Sequence, residues 1–399
     1  MTFIATKAYS PKKLRALVGF TVFLIVGRGA IRPQSTPTTA QPQLIPRSPE
    51  ERERHYRNLH RLFLNAQLSG PSGQVVNGLT PDDFTILVDH HPEKLASFQL
   101  IQGSSTGNRD RVILVLDGVN NSSGNVKHFR EGIEKYLKSA TGLLAHSTSI
   151  ASLSESGIRI GAPSTDRVVL LRELSQLAGG LRGSTCAEAT SAMECGMPVT
   201  QSDTFSRSCD PNVHLVCLNR RFNSSITALT SVAQEQTESA GRVVVIWLGQ
   251  GWPFLNQPGF IPDTTEVKDA FYRNLVTLSS SLSTAQITLD VVGASPDLPV
   301  VATDIHDTFL FQGIPKKADV TAASLSLQAL AYQSGGVVLR SSKDIATQIA
   351  SCVTDLDLYY LLAFDYAPAS DFGEHHRLDV RIDKPGITVR TRTLFYAEQ

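Results

Sequence analysis

The sequence predicts an α/β protein: a doubly wound, mostly parallel sheet with a small N-terminal β-module and a C-terminal antiparallel β appendage. Three observations carry this expectation. Residues 112–116 and 243–247 are unbroken apolar runs, as strands buried on both faces require. Between positions 111 and 354, stretches of helical period alternate with such runs. On either side of that region the period shortens to β-like runs broken by Gly and Pro turns.

Taken in order, strands are expected at 62–68, 84–88 and 95–101, separated by turn signals at Gly70-Pro71-Ser72-Gly73 and His90-His91-Pro92. They define an N-terminal module, 50–105. Strand 112–116 ends at Asp117, and a helix follows at 126–139 with Phe129, Ile133, Tyr136 and Leu137 on one stripe. Two short strands, 149–153 and 157–160, precede a helix at 166–177 with Ser164 or Thr165 as its N-cap. Residues 179–222 show no clean periodicity and read as a cysteine-containing insertion. Helix 224–239 then leads to strand 242–248, helix 266–281 to strand 287–292, and helix 320–333 to strand 336–339. Helix 344–354 closes a domain spanning 106–354. Strands 358–364, 377–382 and 387–393 form the appendage, 355–399, with Lys384-Pro385-Gly386 turning between the last two.

Composition narrows the function classes. Lys plus Arg number 37 and Asp plus Glu 37, for a formal net charge of +0. With no basic run either, no nucleic-acid partner is expected. Hydrophobic residues at 41% argue against wholesale disorder. No segment approaches the roughly 18 apolar residues of a spanning helix, so a polytopic membrane protein is not expected.

The N-terminus reads as a targeting segment. Lys7, Lys12, Lys13 and Arg15 precede an apolar stretch at 16–26, and Gly27, Gly29 and Ala30 supply small residues for cleavage, with Arg28 among them. Residues 1–30 are therefore a signal peptide or an uncleaved signal anchor. Pro33, Pro37, Pro42, Pro46 and Pro49 lie among Ser, Thr and Gln, so 31–49 is expected to be an extended linker. The expected location is secreted or periplasmic, with membrane contact only through an N-terminal anchor. In that compartment Cys186, Cys195, Cys209 and Cys217 suggest two disulfides of unassigned pairing. A zinc knuckle is the rival reading, but no pair has the tight spacing of a zinc hairpin. Cys352 falls in an apolar helical pattern and reads as a buried thiol.

Four motifs occur in a fixed order: 76–84 (Val-Asn-Gly-Leu-Thr-Pro-Asp-Asp-Phe), 114–120 (Leu-Val-Leu-Asp-Gly-Val-Asn), 241–253 around Gly249-Gln250-Gly251, and 330–336 continuing through 357–362 to 389–396. In these the chain resembles the VWFA-related domain proteins of acidobacterial type, which share a von Willebrand factor type A-like fold. The resemblance implies a ligand site beyond the carboxyl ends of the sheet strands. There the wider fold family builds a metal-ion-dependent adhesion site on Asp-x-Ser-x-Ser.

This chain departs from that pattern. Asp117 is present, but Val119 and Asn121 stand at the two serine positions, and the later loop reads Gly249-Gln250-Gly251 with no carboxylate. One carboxylate among amides compensates a divalent charge poorly. The expectation is a degenerate site in which Asp117 and Asn121 are at most weak or vestigial magnesium ligands and no cofactor is bound. Asp117 would instead anchor loop amides, and Asp117→Asn would then cost little stability. Asp117, Asn120, Asn121, Gln250 and the loop residue Asp304 are the candidate ligand-binding residues.

Signals for catalysis are weak. No Gly-x-Ser-x-Gly elbow, His-Glu-x-x-His or Walker loop occurs. The adjacent pairs His90-His91 and His375-His376 would point to opposite faces of a strand. The reading is a non-catalytic exported interaction protein, binding a protein or cell-envelope partner. Two alternatives stay open: an enzyme, such as a hydrolase, with a pocket at the sheet edge and loop 295–317, or a purely structural envelope component.

Overall fold

In the computed structural model, residues 60–103, 110–184, 211–236, 241–252, 264–295, 312–320 and 322–399 are described. The expected signal segment, the proline linker, Cys186, Cys195, Cys209 and Asp304 lie outside them. The chain from Pro49 to Gln399 forms one unit. Its described part begins with strands β1 (Arg61–Ser69), β2 (Phe84–Val88), β3 (His91–Glu93) and β4 (Leu95–Gln102). Next come β5 (Arg111–Asp117), helix α1 (Ser123–Lys138), β6 (Leu143–Ser154), β7 (Gly157–Ile160), β8 (Ser164–Asp166) and helix α2 (Arg167–Ala178). Helix α3 (Pro211–Gln236), β9 (Val243–Leu248), α4 (Thr265–Thr284), β10 (Ile287–Ala294), α5 (Leu327–Gln333), β11 (Val338–Arg340) and α6 (Ile345–Val353) follow. Strands β12 (Leu358–Asp365), β13 (His375–Ile382), β14 (Thr388–Arg390) and β15 (Leu394–Tyr396) end the chain.

The central sheet runs β11-β10-β9-β5-β6-β7, with β8 also on β6. Its β11, β10, β9, β5 and β6 pairings are parallel, and β7 and β8 join β6 antiparallel. The continuous apolar runs occupy the middle because both faces are covered. Val112, Leu114 and Leu116 of β5 pack with Phe129, Ile133, Leu170 and Ile349 of α1, α2 and α6. Ile113 and Val115 face Leu229, Leu275 and Leu330 of α3, α4 and α5. Chain order steps from β5 to β6 on one side and then crosses to β9 on the other. The switch point therefore lies between the carboxyl ends of β5 and β9, where open α/β sheets leave a crevice.

The two β pieces expected at the chain ends are interleaved. Strand β12 pairs antiparallel with both β1 and β4, and β13 pairs with β2. The result is two four-stranded sheets, β14-β1-β12-β4 and β15-β13-β2-β3, enclosing a core of Leu64, Leu68, Phe84, Ile86, Tyr360, Leu362, Phe364 and Phe395. Alternation in β1 sets its register: Leu62, Leu64, Ala66 and Leu68 are buried and the residues between them only partly so.

Several expectations need correction. The N-cap of α2 is Asp166, whose carboxylate accepts from the amides of Val168 and Val169, rather than Ser164 or Thr165. The helix expected from 224 begins at Pro211, inside the stretch read as an irregular insertion. The helix expected over 320–333 is a 3₁₀ turn, Ala322–Leu325, followed by α5, because Ser326 caps a new helix start on the amide of Ala329. The expected Lys384-Pro385-Gly386 turn is present between β13 and β14, but the two strands enter different sheets: β13 stays in one, while β14 crosses to pair with β1 in the other.

Candidate functional site

At the switch point, Asp117 ends β5 with its side chain fully buried. Its Oδ1 accepts from the backbone amides of Val119 at 2.8 Å and Asn120 at 2.9 Å. Its Oδ2 accepts from Asn120 Nδ2 at 2.8 Å and from the Trp247 indole Nε1 of β9 at 2.9 Å. All the acceptor positions of the carboxylate are thus committed to protein donors. Asn120 Nδ2 also donates to Ser225 Oγ at 2.8 Å, and Ser225 donates to the Arg221 carbonyl of α3.

Asn121 performs a separate task. Its Nδ2 donates to the Asp117 carbonyl at 2.8 Å, and its Oδ1 accepts from the Gln250 amide at 3.1 Å. The loop after β5 is thereby tied to the loop after β9. Glycine is needed at position 249, where a Cβ would lie 2.8 Å from Asn121 Nδ2. At Gly183 a Cβ would lie 2.3 Å from the Ser122 backbone. Of the candidate residues here, Asp117, Asn120 and Asn121 are buried, and only Gln250 reaches partial exposure.

Arg221 supplies the counter-charge. It is buried on α3, and Nη2 donates to the Asn120 carbonyl at 3.4 Å. Burial lowers its pKa to about 10, against the opposing pull of the Asp117 charge. Trp252 is fully buried and packs edge-on against Trp247 and Phe222. Among the described residues, Asn120 Oδ1 and Trp252 Nε1 have no hydrogen-bond partner. No group of three or more His, Cys, Asp or Glu side chains among those residues is placed to hold a metal ion.

A second polar cluster lies at the opposite end of the strands, where the central sheet meets the paired β sheets. Arg242 is buried, with its guanidinium 4.7 Å from the Tyr359 ring centre. Its Nε and Nη2 donate to Thr288 Oγ1, and Nη1 donates to the Asp355 carbonyl at 2.9 Å. Asp110 accepts from the Arg242 amide and from the Tyr359 hydroxyl. Arg390 of β14 donates to Asp355 Oδ2 at 2.6 Å and to the Gly335 carbonyl at 2.7 Å. Asp290 sits fully buried in β10 and accepts from the Val337 amide at 2.8 Å. Burial, reinforced by the Asp355 charge, pushes its carboxyl up to about 7. Burial also pushes the free Cys352 thiol well up, so it is a protonated core group rather than a nucleophile. This cluster is a joint between the two parts of the fold.

Sequence reasoning located Asp117 and its neighbours but missed Trp247, Ser225 and Arg221. Trp247 sits within an apolar strand and reads as core packing, while Arg221 falls in the unpatterned insertion. The one signal for the second cluster was Asp290, a lone acid inside the apolar strand 287–292. His375 and His376 do point apart: the first meets the Gln312 carbonyl at 2.6 Å and the second Asp89 at 2.8 Å.

The chain matches no family model, and no curated protein matches it by sequence. Among solved structures it is similar to proximal thread matrix protein 1 from the mussel byssus, at 10% identity over 67% of this chain and 51% of that one, TM-score 0.34. It is also similar to the human COPII-coat protein Sec24c, at 10% identity over 75% of this chain and 46% of that one, TM-score 0.30. A third likeness is to the manganese-loaded TRAP protein of Plasmodium vivax, at 9% identity over 74% and 96% of the two chains, TM-score 0.29. The chain spans about half the length of the mussel and human proteins. At these TM-scores the likenesses carry no argument about activity. Among the described residues no helix is long and apolar enough to cross a membrane.

Proposed function

We propose that the protein is an exported, non-catalytic interaction protein built on a von Willebrand factor A-like sheet, with its metal-ion-dependent adhesion site degenerated into a hydrogen-bonded plug. One observation carries this reading: the Asp117 carboxylate is fully buried and accepts from four protein donors. A divalent cation would have to strip those donors from Asp117 and gain neutral amides in exchange. Binding therefore relies on side chains and backbone at the lip of the switch point, where Gln250 is partly exposed, and the partner is a protein or cell-envelope component. The basic segment before residues 16–26 and the proline linker support export.

The test is affinity capture from envelope extract with the purified chain as bait, in millimolar magnesium and in EDTA. The same prey should be recovered in both, and recovery should fall with Gln250→Arg. Capture that requires magnesium contradicts the proposal.

A further inference from the structure

We propose that the chain forms a two-fold dimer by antiparallel pairing of β4 with β4 of a second copy. Among the described strands β4 ends its sheet, hydrogen-bonded to β12 on one side, and it is eight residues long. Its sequence, Leu-Ala-Ser-Phe-Gln-Leu-Ile-Gln, holds no charge, proline or glycine. The other sheet edges among the described strands are protected as edges usually are. Strands β14, β15 and β11 have three residues each, with Arg390 on β14, Arg340 on β11 and β15 buried. Strand β3 has three residues including Pro92, and β7 has four including Arg159. On β4 the single irregularity is a bulge between Leu95 and Ser97, which leaves the rest of the strand regular.

The side chains on β4 indicate what pairs there. Ala96, Ser97, Gln99 and Gln102 are exposed, whereas Leu95, Phe98, Leu100 and Ile101 are only half-buried. Phe98 already packs against Phe84 and Tyr360 at ring distances of 5.4 and 5.6 Å, on the margin of the core between the two sheets. A two-fold axis through Gln99 sets Phe98 beside the partner's Leu100 and Ser97 beside the partner's Ile101. Both halves of the apolar margin are then covered by the same residues of the other copy, as an isologous interface requires. The strand is uncharged and the chain's formal net charge is +0, so no net repulsion opposes the approach. Pairing uses up the long edge in both copies and leaves the three-residue β14 at each end, so assembly stops at two.

Sedimentation velocity of the purified chain over a concentration series tests this. The wild type should sediment at twice the monomer mass at micromolar concentration. Gln99→Lys and Gln99→Glu each place like charges face to face on the axis, and each should weaken the dimer by about tenfold or more. Because Gln99 is exposed, both variants should fold as the wild type does, with the same circular-dichroism spectrum. An equimolar mixture of the two should recover the dimer through the opposite charges. A wild type that stays monomeric, variants that still dimerise fully, or a mixture that stays monomeric would each overturn the proposal, as would a monomer whose β4 edge takes up an extended peptide instead.

Discussion

Raising the pH from about 5 to about 8 should remove stability through one residue, Asp290. Its carboxyl is fully buried, beside the Asp355 charge, and its pKa rises from an ordinary 3.8 to about 7. The folded state thus holds this proton across an interval in which the unfolded chain has released it. A carboxyl raised in this way contributes its full stability below pH 3.8 and loses it progressively until the pH passes about 7. Over the interval from pH 5 to pH 8 the loss is about 2–3 kcal/mol. His375 works in the opposite direction, because burial lowers its pKa and favours the fold as the pH rises through the usual histidine range. The readout is therefore a difference. Urea denaturation of wild type and Asp290→Asn at several pH values isolates the Asp290 contribution, since His375 is common to both. The Asn carbonyl can still accept from the Val337 amide. Wild type should lose stability relative to the variant as the pH rises. Parallel pH profiles for the two proteins would refute the reasoning.

Three further outcomes are expected. Contrary to the small cost expected from the sequence, Asp117→Asn turns an amide NH₂ toward two of the four donors that bond Asp117, so urea denaturation should show a loss of about 2–4 kcal/mol; a loss below about 1 kcal/mol would mean that the hydrogen bonds are not formed. Cys186, Cys195, Cys209 and Cys217 should be oxidised in pairs, each short loop adding roughly 2–3 kcal/mol, and mass spectrometry of alkylated, unreduced protein should find Cys352 alone labelled. A reporter enzyme that works only outside the cytoplasm, fused after residue 49, should be active, and an inactive cytoplasmic fusion would count against export.

Much of the fold was legible because burial on both faces leaves an unmistakable trace. Strands β5 and β9 stand out as unbroken apolar runs, and α1 shows its stripe of Val126, Phe129, Ile133 and Leu137. The three-residue strands β3 and β15 are too short to display a period. The pairing of β1 with β12 joins residues about three hundred positions apart, and no local pattern encodes it. Turn chemistry at Lys384-Pro385-Gly386 marked the turn, but a good turn sequence does not say which sheet the next strand enters. At the site, Asp117 was legible from its place after a buried strand. Its donors were not, because Trp247 and Ser225 acquire their roles only when β9 and α3 are brought beside β5.

The most direct test of the plugged site is a calorimetric titration of the purified chain with magnesium, repeated on Asp117→Ala. With both Asp117 oxygens already bonded to protein donors, no heat of binding should appear for either protein up to millimolar magnesium, and the melting temperature should not move. Micromolar magnesium affinity in the wild type that vanishes in Asp117→Ala would contradict the account and restore a metal-dependent adhesion site.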